Sequence, residues 1–121
     1  MKYLCMVAID EKKLQALSDS EMQVLEDESL EYDDVLRGQG HFVAAQALES
    51  VSAATTIRLR KGKVSMTDGP FAETNEQVCG FVLIEAKDLN EAIQLASKLP
   101  SIRLGAVEVR PVRELTHSAR Q

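Results

Sequence analysis

The chain contains few of the residues that build specialised chemical sites. Of its 121 residues, two are cysteine, two are histidine and three are proline. Cys5 and Cys79 both lie inside apolar runs, where a free thiol behaves as a small hydrophobic side chain; the sequence also permits a disulfide between them. No cluster of His, Cys and Asp has the spacing of metal ligands, and there is no Gly-rich phosphate loop, nucleophile elbow or dinucleotide fingerprint. The sequence therefore predicts no metal and no other cofactor.

Positive charge and long apolar runs are also scarce. The formal net charge is −5, whereas direct binding to nucleic acid needs clustered Lys and Arg. No apolar run has membrane-spanning length, and the apolar start of the chain is too short for a secretory signal. Ten acidic residues lie between Asp10 and Asp34 against Lys12 and Lys13, a pattern that favours a solvated helix face over a docking surface for a basic partner. We expect a cytoplasmic protein without membrane or nucleic-acid contacts.

The first half of the chain reads as a strand, a helix and a second strand. Residues 3–9 are apolar on both alternating sides, which predicts a strand covered on both faces. Ser18 and Glu21 predict a capping box at the start of a helix that Gly38 or Gly40 ends. A second strand is expected from His41 to Leu48.

The second half repeats this order after an inserted hairpin. Residues 55–60 alternate apolar and polar side chains, which predicts a half-buried strand, and Lys61-Gly62-Lys63 turns the chain into the partner strand 64–67. Residues 78–85 predict another strand buried on both faces. Asp88 and Glu91 cap a second helix that Pro100 stops, and Val107 and Val109 mark the last strand.

Two β-α-β halves with an inserted hairpin predict an α+β fold of the ferredoxin-like type, with an antiparallel sheet and both helices on one face. The two-sided apolar strands argue against an open second face. Because the chain has no third helix to cover it, we expect a homodimer that closes a dimeric α/β barrel. We assign residues 1–115 to the domain and 116–121 to a flexible tail.

Chemistry is concentrated in one segment, Thr67-Asp68-Gly69-Pro70-Phe71-Ala72-Glu73-Thr74. With Glu76-Gln77-Val78 and Gly80-Phe81 it resembles the signature of the DGPF group of YCII-related proteins, and the resemblance extends over nearly all of residues 1–112. It implies the same ferredoxin-like, dimeric barrel fold in a bacterial cytoplasmic protein. It also implies association with extracytoplasmic-function sigma factors, beside which such proteins are often encoded. The group has no settled biochemical activity.

One feature of the smaller YCII proteins is absent. Those relatives resemble enzymes because a histidine in the first helix faces an aspartate just before the last strand. This chain has no histidine between Ser18 and Arg37, and it reads Leu99-Pro100-Ser101 before the last strand. Their catalytic assignment therefore does not carry over, and the sequence leaves open whether the protein is an enzyme.

Asp68 is the leading candidate for a functional side chain. It is interpreted either as a turn cap or as a carboxylate at the mouth of a cavity, acting as base or ligand anchor. His41 joins it as a catalytic candidate only if the fold brings the two together, since His titrates near neutrality. The remaining candidates form a ligand-binding set: Gly69, Pro70, Phe71, Glu73 and Arg58.

Three hypotheses follow from these residues. The first is a small-molecule site near the Asp68–Phe71 loop of a homodimer. The second is a regulatory or interaction protein linked to a sigma factor, for which the acidic first helix would be the contact surface. The third is that the loop serves to build the dimer, with Gly-Pro-Phe packed against the partner.

Overall fold

A computed structural model describes residues 1–120, which form six strands and three α-helices. In chain order these are β1 (Lys2–Asp10), α1 (Glu11–Gln15), α2 (Asp19–Gly38), β2 (Phe42–Ala47), β3 (Thr55–Arg60), β4 (Lys63–Asp68), β5 (Glu76–Glu85), α3 (Leu89–Ala96) and β6 (Gly105–Pro111). Short 3₁₀ turns occupy Val51–Ala53, Pro100–Arg103 and Ser118–Arg120. The predicted order of a β-α-β half, a hairpin and a second β-α-β half is confirmed.

The strands form two separate antiparallel sheets. Four of them pair in the order β2-β5-β1-β6, whereas β3 and β4 pair only with each other. The predicted α+β class with antiparallel pairing is therefore confirmed. Within residues 1–120 of a single chain the four-stranded sheet stays open and does not close into a barrel.

Local sequence signals account for where the helices begin. The Ser18 hydroxyl accepts from the Glu21 N–H at 3.1 Å, while the Glu21 carboxylate accepts from the Ser18 N–H at 2.9 Å, so the predicted capping box is present. These bonds hold the pKa of Glu21 below its ordinary value. The Asp88 carboxylate caps α3 in the same way by accepting from the Glu91 N–H. Sequence analysis missed α1, whose one clear signal is the cap that Asp10 provides to the Lys12 N–H.

The hydrophobic core lies between the helices and one face of the four-stranded sheet. Along β1, odd-numbered residues are buried and even-numbered residues are half-buried. The same face of β5 contributes Val82 and Ile84 to this core, and α3 covers it with Ala92 and Leu95. A bond from the Tyr32 hydroxyl of α2 to the Leu95 carbonyl, at 2.6 Å, ties the two helices together over this face.

The opposite face of the sheet, here called the open face, carries no helix. Its centre consists of apolar side chains from β1 and β5, namely Leu4, Met6, Ala8, Val78, Phe81 and Leu83. A single chain does not cover β1 and β5 on both sides, and the cover that a second copy would provide stays a prediction. Each strand is apolar on two sides, but the chain supplies a covering layer for one of them.

Both cysteines are free thiols facing the helix-covered side of the sheet. Burial raises the pKa of Cys5 to about 11 and also raises that of Cys79. Cys79 lies where the pairing of β1 and β5 shifts register, between the partners of Val7 and Ala8. A thiol held in its protonated form is a poor nucleophile, which supports the interpretation of both residues as packing side chains.

The hairpin of residues 55–68, here called the arm, differs most from expectation. Lys61 and Gly62 both have positive φ, as a tight two-residue turn requires. Its first strand, residues 55–60, was predicted to be half buried, but the apolar side is exposed: Ile57 and Leu59 keep 65% and 70% of their surface. The correction has a simple cause, because the arm projects from the four-stranded sheet and pairs only with itself.

Candidate functional site

The loop between the arm and β5 folds back against the polar side of the arm. Gly69 has φ +105°, a conformation that favours glycine. Its carbonyl accepts a bond from the Thr56 hydroxyl at 2.8 Å, and its N–H donates to the Ala54 carbonyl at 2.8 Å. Arg58 donates from Nη2 to the Phe71 carbonyl at 3.3 Å. Hydrogen bonds from the Thr56 and Arg58 side chains to main-chain carbonyls of the loop thus fix the Asp68–Phe71 loop to the arm.

Asp68 lies at the base of the arm, opposite Thr55. Since side chains alternate along a strand, Asp68 shares its side with Met66 and Val64, the apolar and exposed side of the arm. Its carboxylate is therefore exposed at the edge of an apolar surface. The loop covers the other side of the arm, so Asp68 does not point into the space that the loop encloses.

His41 lies far from this loop. Its Nδ1 is 2.8 Å from the carbonyl oxygen of Glu85, at the end of β5 that leads into α3. The loop enters β5 at the opposite end, at Glu76, and a strand of this length spans roughly 30 Å. One chain therefore does not bring His41 and Asp68 together. The condition on which His41 was a catalytic candidate is not met within a single chain.

A cavity of about 480 Å³ adjoins the loop. One wall is the segment 48–54, which includes the 3₁₀ turn, and the other is the loop with the start of β5. Of the predicted ligand-binding residues, Pro70 and Phe71 line the cavity, whereas Gly69, Glu73 and Arg58 do not. Its volume is in the range of small-molecule sites.

Side-chain hydrogen bonds brace each wall, from a distant residue on one side and from a neighbouring residue on the other. The carboxylate of Glu11 accepts from the Val51 N–H at 2.8 Å and from the Ser50 hydroxyl at 3.0 Å. On the other wall, Nε2 of Gln77 donates to the carbonyls of Ala72, at 2.9 Å, and Thr74, at 3.1 Å. The cavity is therefore a fixed feature of the fold. Sequence reasoning missed Glu11, whose only signal was its position directly after a strand.

The lining is mostly apolar and carries no positive charge. Its apolar side chains are Leu48, Val51, Ala53, Ala54, Pro70, Phe71, Ala72 and Val78. The polar side chains are two carboxylates, from Glu49 and Glu76, with Ser50, Thr74 and Gln77. Such a surface suits an apolar molecule that is neutral or cationic, because a buried anion would face two carboxylates without a counter-charge.

A second groove, of about 640 Å³, runs between α2 and the sheet. Helix α2 and the segment before β6 flank this groove. In the smaller YCII proteins, the corresponding two elements hold the histidine and the aspartate. In this chain they contribute Ser29, Asp33 and Ser101. Burial raises the pKa of Asp33, and Cys79 lies on the groove floor in protonated form. No base and nucleophile pair is assembled among these described side chains.

Residues 1–120 contain neither a metal-binding cluster nor a membrane-spanning helix. No group of three or more His, Cys, Asp or Glu side chains in this range is arranged to hold a metal ion. None of the helices in the same range combines the length and apolar character that a membrane crossing requires.

Comparison with known proteins identifies the family. The model of the YCII-related domain matches residues 1–116. An uncharacterized protein of Rhizobium meliloti (strain 1021) is 43% identical over 67 residues, a match that covers 54% of this chain and 54% of that protein. The aligned region is thus about half of either chain, and it brings no named activity. With the family model extending over nearly the whole described fold, the chain belongs to the YCII-related family.

Proposed function

We propose that this protein is a member of the DGPF group that binds a small molecule in the cavity beside the Asp68–Phe71 loop. The observation that carries the proposal is the construction of the cavity. The carboxylate of Glu11 accepts two hydrogen bonds from one wall, and the side-chain amide of Gln77 donates two hydrogen bonds within the other. A loop that served only as a connection would not need walls fixed from two directions.

The proposed assembly is a homodimer of ferredoxin-like subunits that forms an α/β barrel. The strand order β2-β5-β1-β6, with α2 and α3 on one face, supports the ferredoxin-like subunit. The bare apolar centre of the open face supports the homodimer, because monomeric proteins rarely leave such a surface to water. Val78 belongs both to the open face and to the cavity lining, so dimerisation would border the binding site.

The proposed ligand is a compact apolar molecule without negative charge. Pro70, Phe71 and Val51 supply apolar contacts, while Glu49 and Glu76 disfavour carboxylates and phosphates at the same place. In this proposal Arg58 acts through the loop backbone and does not touch the ligand. Asp68 lies on the apolar side of the arm, away from the space that the loop encloses, and does not contact the ligand.

Binding of N-phenyl-1-naphthylamine, an uncharged fluorescent probe of apolar sites, tests this proposal. We expect saturable fluorescence with one probe for each chain. Ala72→Leu places a larger side chain inside the cavity and should abolish this signal. Ala16→Leu makes the same change at an exposed position outside the cavity and should retain it.

The outcome that contradicts the proposal is equal probe binding by both variants. The probe would then occupy the second groove or the exposed apolar side of the arm. Circular dichroism of Ala72→Leu separates a blocked cavity from a misfolded chain, because the loop lies outside the core that holds the helices.

A regulatory protein that binds an extracytoplasmic-function sigma factor is the second candidate. The observation that favours it is α2, where eight of twenty residues are Asp or Glu and where Val24, Leu30 and Val35 remain exposed. Acidic and apolar side chains together suit a basic, amphipathic partner segment. Loss of sigma-factor binding after charge reversal on α2, with probe binding intact, would support this candidate over the first.

A further inference from the structure

The arm presents an apolar surface that its own chain does not cover. Ile57 pairs with Met66 and Leu59 with Val64, so the four side chains lie on one side of the two-stranded ribbon. Each keeps between 65% and 73% of its surface exposed. A two-stranded hairpin is marginally stable in water unless something packs against it. The arm therefore needs an occupant for this surface.

The opposite side of the arm is already in use. Thr56 and Arg58 hold the loop against it, and Arg60 and Lys63 give it positive charge. The arm can therefore bury only its apolar side, and it can do so only against another apolar surface. The open face of the four-stranded sheet is such a surface, and nothing in residues 1–120 of the same chain covers it.

Charge distinguishes the arm from the rest of the chain. Residues 55–68 hold four cationic side chains and one carboxylate, Asp68, which gives the arm a formal charge of +3. Because the whole chain has −5, the remaining residues have −8. The arm of one copy is therefore attracted to the rest of another copy, here called the body, which speeds the encounter. The apolar match and not the charge selects the open face, because eight of the carboxylates lie on α2, on the other side of the sheet.

We propose that the arm of each chain packs with its apolar side on the open face of a second copy. This inference rests on the proposed homodimer and specifies what covers its sheet. Two-fold symmetry makes the contact reciprocal, so that each chain buries its own arm and its own open face. A stable interface buries roughly 800 Å² on each partner, and the arm and the open face are the two surfaces that each chain would contribute to it.

The exchange of arms gives Asp68 a defined place. It sits at the base of the apolar side, so it lies at the rim of the interface, between two chains. The open face also includes Val78, which lines the cavity. Each cavity would then be bordered by the partner's arm, and its shape would depend on the second copy.

A pair of substitutions on opposite sides of the arm tests the proposal. Ile57→Asp places a charge on the apolar side, and Ser65→Asp adds the same charge on the polar side, opposite Arg58. We expect the wild type to have twice the 13.3 kDa chain mass in sedimentation velocity. Ile57→Asp should raise the dimer dissociation constant at least ~100-fold, and Ser65→Asp should change it by less than ~5-fold, as rim charges typically do.

Isotope-filtered NMR of a mixed-label dimer gives an independent result on the wild-type chain. We expect intermolecular contacts between the methyl groups of Ile57 or Met66 and those of Met6 or Leu83. Contacts confined to arm against arm, or open face against open face, would overturn the proposal.

The sedimentation outcomes separate this inference from the proposed dimer. A wild type that stays monomeric at high concentration overturns both. A wild-type dimer that Ile57→Asp leaves unchanged overturns the arm exchange and leaves the homodimer standing. A dimer weakened by Ile57→Asp and not by Ser65→Asp supports both.

Discussion

Strand β1 and the arm both have an apolar side, and those two sides differ completely in burial. In β1, Cys5 and Ile9 retain 1% of their surface, whereas in the arm Met66 retains 73%. Antiparallel pairing alone does not cause the difference, because both segments are paired in antiparallel ladders. The difference lies in what packs on the apolar side: α2 and α3 cover one side of β1, whereas nothing within residues 1–120 covers the apolar side of the arm. Alternation identifies a strand and its apolar side, but it does not identify the covering layer.

The largest expected difference between body and arm comes from truncating one isoleucine in each. Ile84 is fully buried, so Ile84→Ala should lower the free energy of unfolding by about 2–5 kcal/mol. Ile57→Ala removes the same atoms from an exposed site and should change it by less than about 0.5 kcal/mol in dilute protein. Urea denaturation followed by helix circular dichroism measures both values. Equal losses would mean that the arm is part of the folded core of one chain.

Two glycines provide a second contrast. A side chain at Gly105 would overlap the Ala8 carbonyl oxygen and lie 3.1 Å from the Ile9 Cα, so Gly105→Ala must separate β6 from β1. We expect a cost of about 1–3 kcal/mol to the body. Gly62 has φ +76° in open space, so Gly62→Ala strains only the turn of the arm, by about 1–2 kcal/mol. Thermal denaturation should show a lower midpoint for the Gly105 variant alone, and the reverse order would contradict this account.

The smallest predicted effect concerns the cap of α2 and its dependence on pH. Glu21→Ala removes the carboxylate that accepts from the Ser18 N–H, the main cause of the lowered pKa of folded Glu21. Because this pKa is lowered, the contribution of the bond to stability is present above the unfolded pKa and is lost as pH falls through the folded pKa. The stability gap between wild type and variant should therefore narrow at acid pH. Urea denaturation at about pH 7 and about pH 3 tests whether this difference in unfolding free energy decreases at acid pH. Ser65→Ala serves as a control in the arm. A gap that widens at acid pH would contradict the assignment.

Much of the fold could be predicted from local signals. Ser18 with Glu21, and Asp88 with Glu91, have cap geometry that depends on a few neighbouring residues, and both helices begin where those signals lie. The Lys61-Gly62 turn was equally local. By contrast, α1 depends on a single cap from Asp10, a signal too weak to separate a five-residue helix from a bend.

The site was less predictable because it depends on contacts between distant residues. The motif drew attention to the loop, and Pro70 and Phe71 line a cavity beside it; their role in binding stays a prediction. No local pattern could have shown that Glu11 fixes the far wall through Val51, forty residues away. The two catalytic candidates were chosen by residue type, and the sheet places His41 at the other end of β5. Whether Asp68 has a role between two chains remains a prediction.

Hydrogen exchange measured as a function of protein concentration tests most directly the claim that the arm is ordered by a second copy. We predict that amides of residues 55–68 exchange quickly in dilute protein and become protected as concentration rises, while amides of β1 and β5 stay protected throughout. Arm amides with the same protection at every concentration would contradict the claim.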